Sequence, residues 1–365
     1  MALRKKGIFF TLISLFIVAI LVLVASSQST VTLKDEVPIT QTAVSIGNNY
    51  IKNLDEVYLS RTLKVVSYRA LRTLIWYMNS TPPQGFLKDK GDFDKKFAEL
   101  VVNGTIDGAP VVVNGQNFML NYNLTKRLAD IENISMRVYN LNTTFNKDYS
   151  SINYSVIAFQ SADTRSLQVA VNVTLNYTVN ATLAYWQRVV VIQAQTPIYQ
   201  LDDPLYALNW TTKLPLPASP MAFTNKILMT STSIFNVTTL WQFINSSQYR
   251  YSARAPSFLS RFYNDYTASQ CCGMESAVNP ALINNNLYDE GRPWPEKKSY
   301  IDWCYFGPQP RCKLGSRLWN ITGVSNYTPG GYNNAFILDT DSAILYNVSD
   351  WINTTYCEPD KTCYP

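Results

Sequence analysis

The sequence contains no histidine. That absence removes Ser-His-Asp and Cys-His catalysis, together with the His-bearing zinc and non-haem iron sites. Charge is also scarce: Asp, Glu, Lys and Arg make up 16% of the 365 residues, with a formal net charge of +5. Three of the positive charges, Arg4, Lys5 and Lys6, precede the first apolar run, so the chain beyond it is nearly neutral. No basic stripe is left over to hold phosphates, which argues against a nucleic-acid partner. Cysteine is missing from most of the chain. All six fall late, at Cys271, Cys272, Cys304, Cys312, Cys357 and Cys363. No Cys-x-x-Cys pair occurs among them, so zinc ligation has little support, and neither a metal nor another cofactor is expected. An even number confined to the end of an exported chain reads as a disulfide-stapled module. The short loops Cys304–Cys312 and Cys357–Cys363 are the first pairings to test. Phosphate-binding loops, Gly-x-Ser-x-Gly and Ser-x-x-Lys patterns are absent in useful form, and no catalytic residue is assigned.

What is present begins with "MALRKKGIFFTLISLFIVAILVLVASSQS", a basic cluster followed by a run without charge from Gly7 to Leu33. Its strongly apolar part, Ile8 to Ala25, has the length needed to cross a hydrocarbon core. Basic residues on the leading flank put that end in the cytoplasm and the rest of the chain outside. A cleaved secretory signal is the alternative, with small residues before Gln28 as the cleavage site. Residues 1–33 are therefore assigned to a leader and signal-anchor segment. "RKKGIFF" before an unbroken apolar helix resembles the start of archaeal type IV pilin-like proteins. That resemblance implies cleavage after Gly7, with Ile8 as the new N-terminus; Leu12 stands where the family usually carries an acidic residue.

Residues 34–212 read as an α+β domain. After Pro38, apolar residues recur at helical spacing: Ala43, Ile46, Tyr50, Leu54 and Val57, then, after one phase slip, Leu63, Val66, Ala70, Leu74 and Met78. "NSTPPQG" at 79–85 stops this helix. A short helix follows over Phe93 to Val102, then a hairpin turning at Asn114-Gly115, then an amphipathic helix marked by Leu124, Leu128, Ile131, Ile134 and Val138. An antiparallel meander comes next, with strands over Ser151–Gln160, Leu167–Val179 and Leu183–Thr196. A long helix that can cover a meander is the pilin-like arrangement.

"NVTLNYTVNAT", Asn172 to Thr182, packs three glycosylation triplets into that middle strand. With a period of two, Asn172, Asn176 and Asn180 share the face opposite the valines, about 13 Å apart from a rise of roughly 3.3 Å per residue. About sixteen such triplets lie between Asn79 and Asn353, against roughly five by chance pairing. Asn123, Asn142, Asn236 and Asn320 are further acceptor candidates. The excess indicates an outward surface able to carry sugar.

Pro215, Pro217 and Pro220 mark a seam, and 221–365 reads as a β-rich domain holding all the cysteines. Strands are expected over Lys226–Phe235, Ser299–Phe306 and Ala335–Val348. "PSFLSRFYNDYTASQCCGMESAVNP" with the later "IDWCYF" resembles a recurrent segment of uncharacterised archaeal exported proteins, to which no activity is attached. Glu275, Asp302, Asp339 and Asp341 are the residues to inspect for a paired-carboxylate glycan hydrolase, a chemistry that needs no histidine. Acidic residues beside turns more commonly cap or solvate them. Trp294, Trp303, Tyr305 and Trp319 are candidates for an aromatic platform taking sugar or peptide, or for the module's own core. Arg254, Arg261 and Arg311 lie near them in sequence. The expectation is a single-pass, membrane-anchored, extracytoplasmic protein of structural or adhesive role. Its partners would be the membrane through the N-terminal helix, and copies of itself, other surface proteins or glycans. A membrane-anchored glycan-acting hydrolase using Asp/Glu chemistry is the alternative.

Overall fold

The computed structural model describes residues 14–22, 41–80, 85–113, 115–146, 157–163, 166–213, 226–228, 236, 238–240, 248–278, 300–306, 316–320, 335–339, 344–347, 356–357 and 363–364. It is an α+β structure in which helices alternate with small antiparallel sheets. The chain forms two compact units. The first comprises Met1–Leu59, Asp130–Asn146 and Asn176–Val190; the second comprises Ser60–Ala129, Lys147–Leu175 and Val191–Pro365.

Helix α1 covers 14–22 and α2 covers 41–78, as the apolar spacing predicts. The phase slip in that spacing has a structural cause. Leu54–Tyr58 is a π turn, closed by the Leu59 N–H donating to the Leu54 carbonyl five residues back. One extra residue per turn would carry a straight 3.6-residue stripe off the core. The buried series therefore steps from Leu54 to Leu59, then on to Leu63, Val66, Ala70, Leu74 and Met78. Val57, which the spacing alone assigns to the core, is only half-buried, and Ile46 is exposed.

In the first unit, Tyr50, Ile51 and Leu54 are buried with Leu141 and with Thr143 and Phe145 of β5 (Asn142–Phe145). The Tyr50 hydroxyl lies 3.0 Å from the Thr143 hydroxyl. Phe145 packs on Tyr177 with ring centres 5.3 Å apart. Gly47 is required here by space: a Cβ at that position would meet the Trp186 indole, whose N–H donates to Asn48.

Helix α4 (Leu124–Ile134) continues into a second π turn, Ser135–Tyr139. This corrects the expected stripe. Leu124 and Leu128 are buried, but Ile134 is 55% and Val138 66% exposed. The π turn rotates the chain so that Ser135 faces inward instead, donating to the carbonyls of Glu132 and Leu141.

In the second unit, α3 (Lys90–Asn103) is capped at its start by Asp89 and ended by Gly104 in the left-handed region. It buries Phe93, Phe97, Leu100, Val101 and Val102. Two tight hairpins follow. β1 (Thr105–Ile106) pairs with β2 (Ala109–Pro110), and β3 (Val112–Val113) pairs with β4 (Gln116–Asn117), the pairing expected from Asn114-Gly115, of which Asn114 lies outside the described residues. The first hairpin turns at Asp107-Gly108, both at positive φ, and the Glu99 carboxylate accepts from both of their N–H groups.

β6 (Ile157–Asp163), β7 (Ser166–Ala181) and β8 (Ala184–Pro197) form the meander; of its expected first strand, residues 151–156 lie outside the described residues. β7 takes part in both units. Its residues 166–172 pair with β6 and its residues 177–180 pair with β5, while β8 also pairs with it. Leu167, Val169, Val171, Val173, Leu175, Tyr177 and Val179 are all buried, and the residues alternating with them are not, apart from Ala170. Each such aliphatic side chain contributes roughly 1.5–3 kcal/mol on burial. A slip of one residue would turn the whole set to solvent, so the register is strongly specified.

Residues on both sides of the proline-rich seam belong to the second unit. Gln200 and Ile227 exchange a backbone hydrogen bond, as do Ile227 and Leu201, and Lys226 pairs with Asp202 at 2.6 Å. Helix α5 (Pro204–Lys213) precedes the seam. Beyond it, β9 (Tyr249–Tyr251), β10 (Met274–Val278) and β11 (Tyr300–Ile301) form a sheet in the order β11-β10-β9. The strand expected over Ser299–Phe306 is short and gives way to helix α6 (Asp302–Phe306). Asp302 stops it, because its carboxylate accepts from the next N–H, that of Trp303. β12 (Ser316–Asn320) pairs with β13 (Ala335–Asp339), and β14 (Tyr356–Cys357) with β15 (Cys363–Tyr364). The strand expected over Ala335–Val348 is present at Ala335–Asp339, but residues 344–347 form a helical turn instead; residues 229–235, 340–343 and 348, inside the other two expected strands, lie outside the described residues. Among the described residues, no helix is long and apolar enough to cross a membrane.

Candidate functional site

The strongest concentration of polar chemistry is buried in the second unit. Arg261 sits on a single 3-10 turn, Ser260–Tyr263, and is fully buried with Asp203 and Asp302. Its guanidinium donates to Asp203 at 2.5 Å and to Asp302 at 2.8 Å, and also to the Met274 carbonyl. Asp203 stands immediately before Pro204, where its carboxylate accepts from the Leu205 N–H and opens α5. The same carboxylate accepts from the Tyr249 hydroxyl at 2.8 Å. Asp302 accepts from the Ser276 hydroxyl at 3.1 Å, and Ser276 lies 2.7 Å from the Tyr206 hydroxyl. Four segments far apart in sequence thus meet on one cation.

A second pair lies on the same sheet. Arg250 of β9 and Glu275 of β10 are register partners and form a buried salt bridge. The Trp303 indole N–H donates to the other Glu275 oxygen at 3.1 Å. The Arg250 guanidinium also stacks over Tyr346, 4.2 Å from the ring centre. Gly273, just ahead of β10, is fixed by space, because a Cβ there would collide with the carbonyls of Ser252 and Ala255. The adjacent Cys271 and Cys272 are joined to each other in a disulfide.

Charge counting explains the electrostatics. Arg250 and Glu275 neutralise one another, but Arg261 faces two carboxylates. Burial, and the negative charge of Asp203, push the Asp302 carboxyl up to about 6 even though Arg261 pulls the other way. Burial and the same carboxylates hold the Tyr206 and Tyr249 phenols protonated, with their pKa values well above the ordinary range. These groups are shut away from solvent. A hydrolytic carboxylate pair flanks a space for the scissile bond; here the space around the carboxylates is taken by guanidinium, hydroxyl and indole groups. The arrangement holds four segments together rather than opening onto a ligand.

Glu275, Asp302, Trp303 and Arg261, all singled out from the sequence, therefore converge. Arg254 is half-buried. Asp339 is on β13 and Tyr305 and Trp319 are on α6 and β12, placed by backbone alone; Trp294, Arg311 and Asp341 lie outside the described residues. Asp203, Tyr206, Tyr249 and Arg250 were not foreseen. Only Asp203 carried a signal, the Asp-Pro step that starts a helix. Among the described residues, no group of three or more acidic or sulfur side chains converges to hold a metal ion. Cys357 and Cys363 are register partners across β14 and β15, Cys304 is on α6, and Cys312 lies outside the described residues. The pairing Cys271–Cys272 was not among those the spacing put first.

The acceptor candidates sort by environment. Asn142 and Asn180 are exposed register partners across β5 and β7, with Asn176 half-exposed on the same strand. Asn172 is half-buried, with its side-chain oxygen covered. Asn123 caps α4, accepting from the Lys126 N–H and donating to the Met119 carbonyl. Asn236 is exposed and accepts from the Thr239 N–H, and Asn320 ends β12. Compared with known protein families, curated proteins and solved structures, the chain shows no match.

Proposed function

We propose that this is a membrane-anchored, outward-facing surface protein with a structural or adhesive role, a pilin-like component of a cell envelope. The observation that carries the proposal is the state of α1. Its large apolar residues, Leu15 to Val18 and Ile20 to Val22, are between 49% and 72% exposed. Seven apolar side chains exposed on one short helix favour an apolar surrounding, and the basic flank and length of the run from Ile8 to Ala25 fit a bilayer. The Asn/Thr face of β7, turned away from its valine core, supports the outward orientation. The buried ion cluster supports a structural reading, since it spends its charged groups on internal cohesion.

The test is fractionation followed by mass spectrometry of the mature chain. The expected result is recovery in the membrane fraction after alkaline extraction, with Ile8 at the N-terminus and added sugar mass on peptides carrying Asn142, Asn176 or Asn180. A chain released by alkaline washing would refute anchoring. An intact Met1 or Ala2 would remove the pilin-type processing, and bare peptides throughout would remove the glycan claim.

A further inference from the structure

The wet face of the first unit carries apolar side chains where the alternation of a half-covered sheet calls for polar ones. β7 ends at Ala181 and β8 begins at Ala184, so Thr182 and Leu183 form a two-residue turn. A hairpin closed in this way pairs Ala181 with Ala184. Stepping back along both strands, it sets Asn180 opposite Tyr185, Thr178 opposite Gln187 and Asn176 opposite Val189. The covered face agrees with this register, because Tyr177 and Arg188, paired by the same count, both donate to Asp55. All of these residues belong to the first unit.

Tyr185 is 61% and Val189 69% exposed. Trp186, next to Tyr185, is turned the other way, against Gly47. Each exposed apolar side chain of this stretch of β8 thus stands opposite an asparagine that opens an Asn-x-Thr triplet, Asn180-Ala181-Thr182 or Asn176-Tyr177-Thr178. Between them, Gln187 stands opposite a threonine. On the other flank of β7, Asn180 meets Asn142 and Thr178 meets Thr144, so the β5 side offers these acceptors nothing apolar. Apolar residues scattered singly over a surface need no cause; two that coincide with two acceptors do. Among the described residues β8 pairs with β7 alone. An edge strand with an uncovered apolar face invites pairing with another chain, so a cover for Tyr185 and Val189 protects the unit.

We propose that the first sugar on Asn180 folds across the hairpin and rests its C–H face on the Tyr185 ring, and that the sugar on Asn176 covers Val189 in the same way. Directly opposed residues hold their Cβ atoms roughly 5 Å apart, within the span of an asparagine side chain and one sugar ring. A sugar presents an apolar C–H face inside a rim of hydroxyl groups. The aromatic ring takes the face, while the Gln187 amide and the Thr178 hydroxyl offer donors and acceptors to the rim. The attached sugar is then part of the packing of the sheet, covering an edge that the polypeptide leaves bare. This inference rests on the glycan part of the surface reading above and adds what the sugar touches.

The experiment uses the full chain, made in glycosylating cells fed isotope-labelled sugar and purified in a non-ionic detergent. Peptide mass spectrometry reads occupancy at Asn180, NMR reads the sugar protons, and amide hydrogen exchange reads the end of the β7–β8 hairpin. Sugar protons shifted upfield by the Tyr185 ring are expected, with the shift lost in Tyr185→Ala at unchanged occupancy and kept in Tyr185→Phe. Thr182→Ala removes the triplet without touching Asn180, and Thr182→Ser preserves it as the control. Tyr185→Ala and Thr182→Ala should each speed exchange at the hairpin end roughly two- to tenfold, as loss of one aromatic contact does. The two together should do no more than either alone. Sugar on Asn180 without the upfield shift overturns the proposal, as does a Tyr185→Ala effect that persists in full in the Thr182→Ala chain. A bare Asn180 beside modified Asn142 or Asn176 overturns this inference and leaves the glycan reading standing. Bare peptides throughout overturn both.

Discussion

The two units each contain a Tyr–Asp–Arg cluster, built from the same three side chains and placed in opposite surroundings. In the first unit, Asp55 accepts from the Tyr177 hydroxyl at 2.5 Å and from Arg188 at 3.1 Å. In the second, Asp203 accepts from the Tyr249 hydroxyl at 2.8 Å and from Arg261 at 2.5 Å. Arg188 is 53% exposed on its side chain, whereas Arg261 is 0% exposed. Water can replace any partner that Arg188 loses. Nothing can replace the partners of Arg261, whose two terminal nitrogens reach both carboxylates and a backbone carbonyl, while its Nε has no hydrogen-bond partner among the described residues. Identical chemistry is thus a surface ornament in one unit and a structural necessity in the other. Burial decides which.

The largest effect expected from breaking this comparison comes at Arg261. Arg261→Ala leaves Asp203 and Asp302 buried without a cation and should cost about 3–5 kcal/mol, enough to unfold the second unit in urea titrations. Arg261→Lys should recover little of the loss, because one ammonium cannot span two carboxylates and a carbonyl. If Arg261→Ala melts like the parent, the cluster does not hold these segments together.

A smaller, pH-dependent effect is expected at Asp302. Its folded-state value of about 6 lies above the ordinary 3.8, so the folded chain keeps a proton that the unfolded chain releases. That contribution is complete below about pH 4 and is lost as pH rises through about 6, on the order of 3 kcal/mol in all. Asp302→Asn keeps the group neutral at every pH. Its stability relative to the parent should therefore improve between pH 4 and pH 7 in chemical denaturation. A constant difference across that range would show that Asp302 is ionised throughout.

The smallest effect belongs to the exposed partner. Arg188→Ala should change stability by less than about 1 kcal/mol, and by less again at high salt. A loss comparable with that of Arg261→Ala would mean that burial is not the deciding variable.

Much of the scaffold was legible beforehand because its signals are local. The alternation from Leu167 to Val179 specified both the strand and its covered face, and the Asn-Gly at 114–115 specified a hairpin. The break in the α2 stripe was visible as a phase slip, though not its form: a π turn passes the core position from Leu54 to Leu59 and leaves Val57 at the margin. The same device at Ser135–Tyr139 was invisible, since a serine entering the core in place of Ile134 contradicts every hydropathy pattern. The helix at Asp302–Phe306 was read as strand because five residues with aromatic enrichment satisfy either template.

Of the buried cluster, the sequence showed Glu275, Asp302 and Arg261 as isolated acids and a nearby base. Their separate local contexts suggested caps and solvated turns. Asp203 lies 58 residues from Arg261 in the chain, on the far side of a proline-rich stretch, and no periodicity relates them. A charge is buried only when an opposite charge arrives at the same place, and that coincidence is a property of the packed chain.

By itself, the sequence determined the helical and strand periods, the covered face of β7 and the apolar character of the N-terminal run. Those follow from residue type and spacing, which act within a few turns. Only the tertiary structure decided which carboxylates became a buried lock and which arginine they met. Those outcomes depend on distance and desolvation between groups far apart in the chain, and neither quantity exists until the chain has packed.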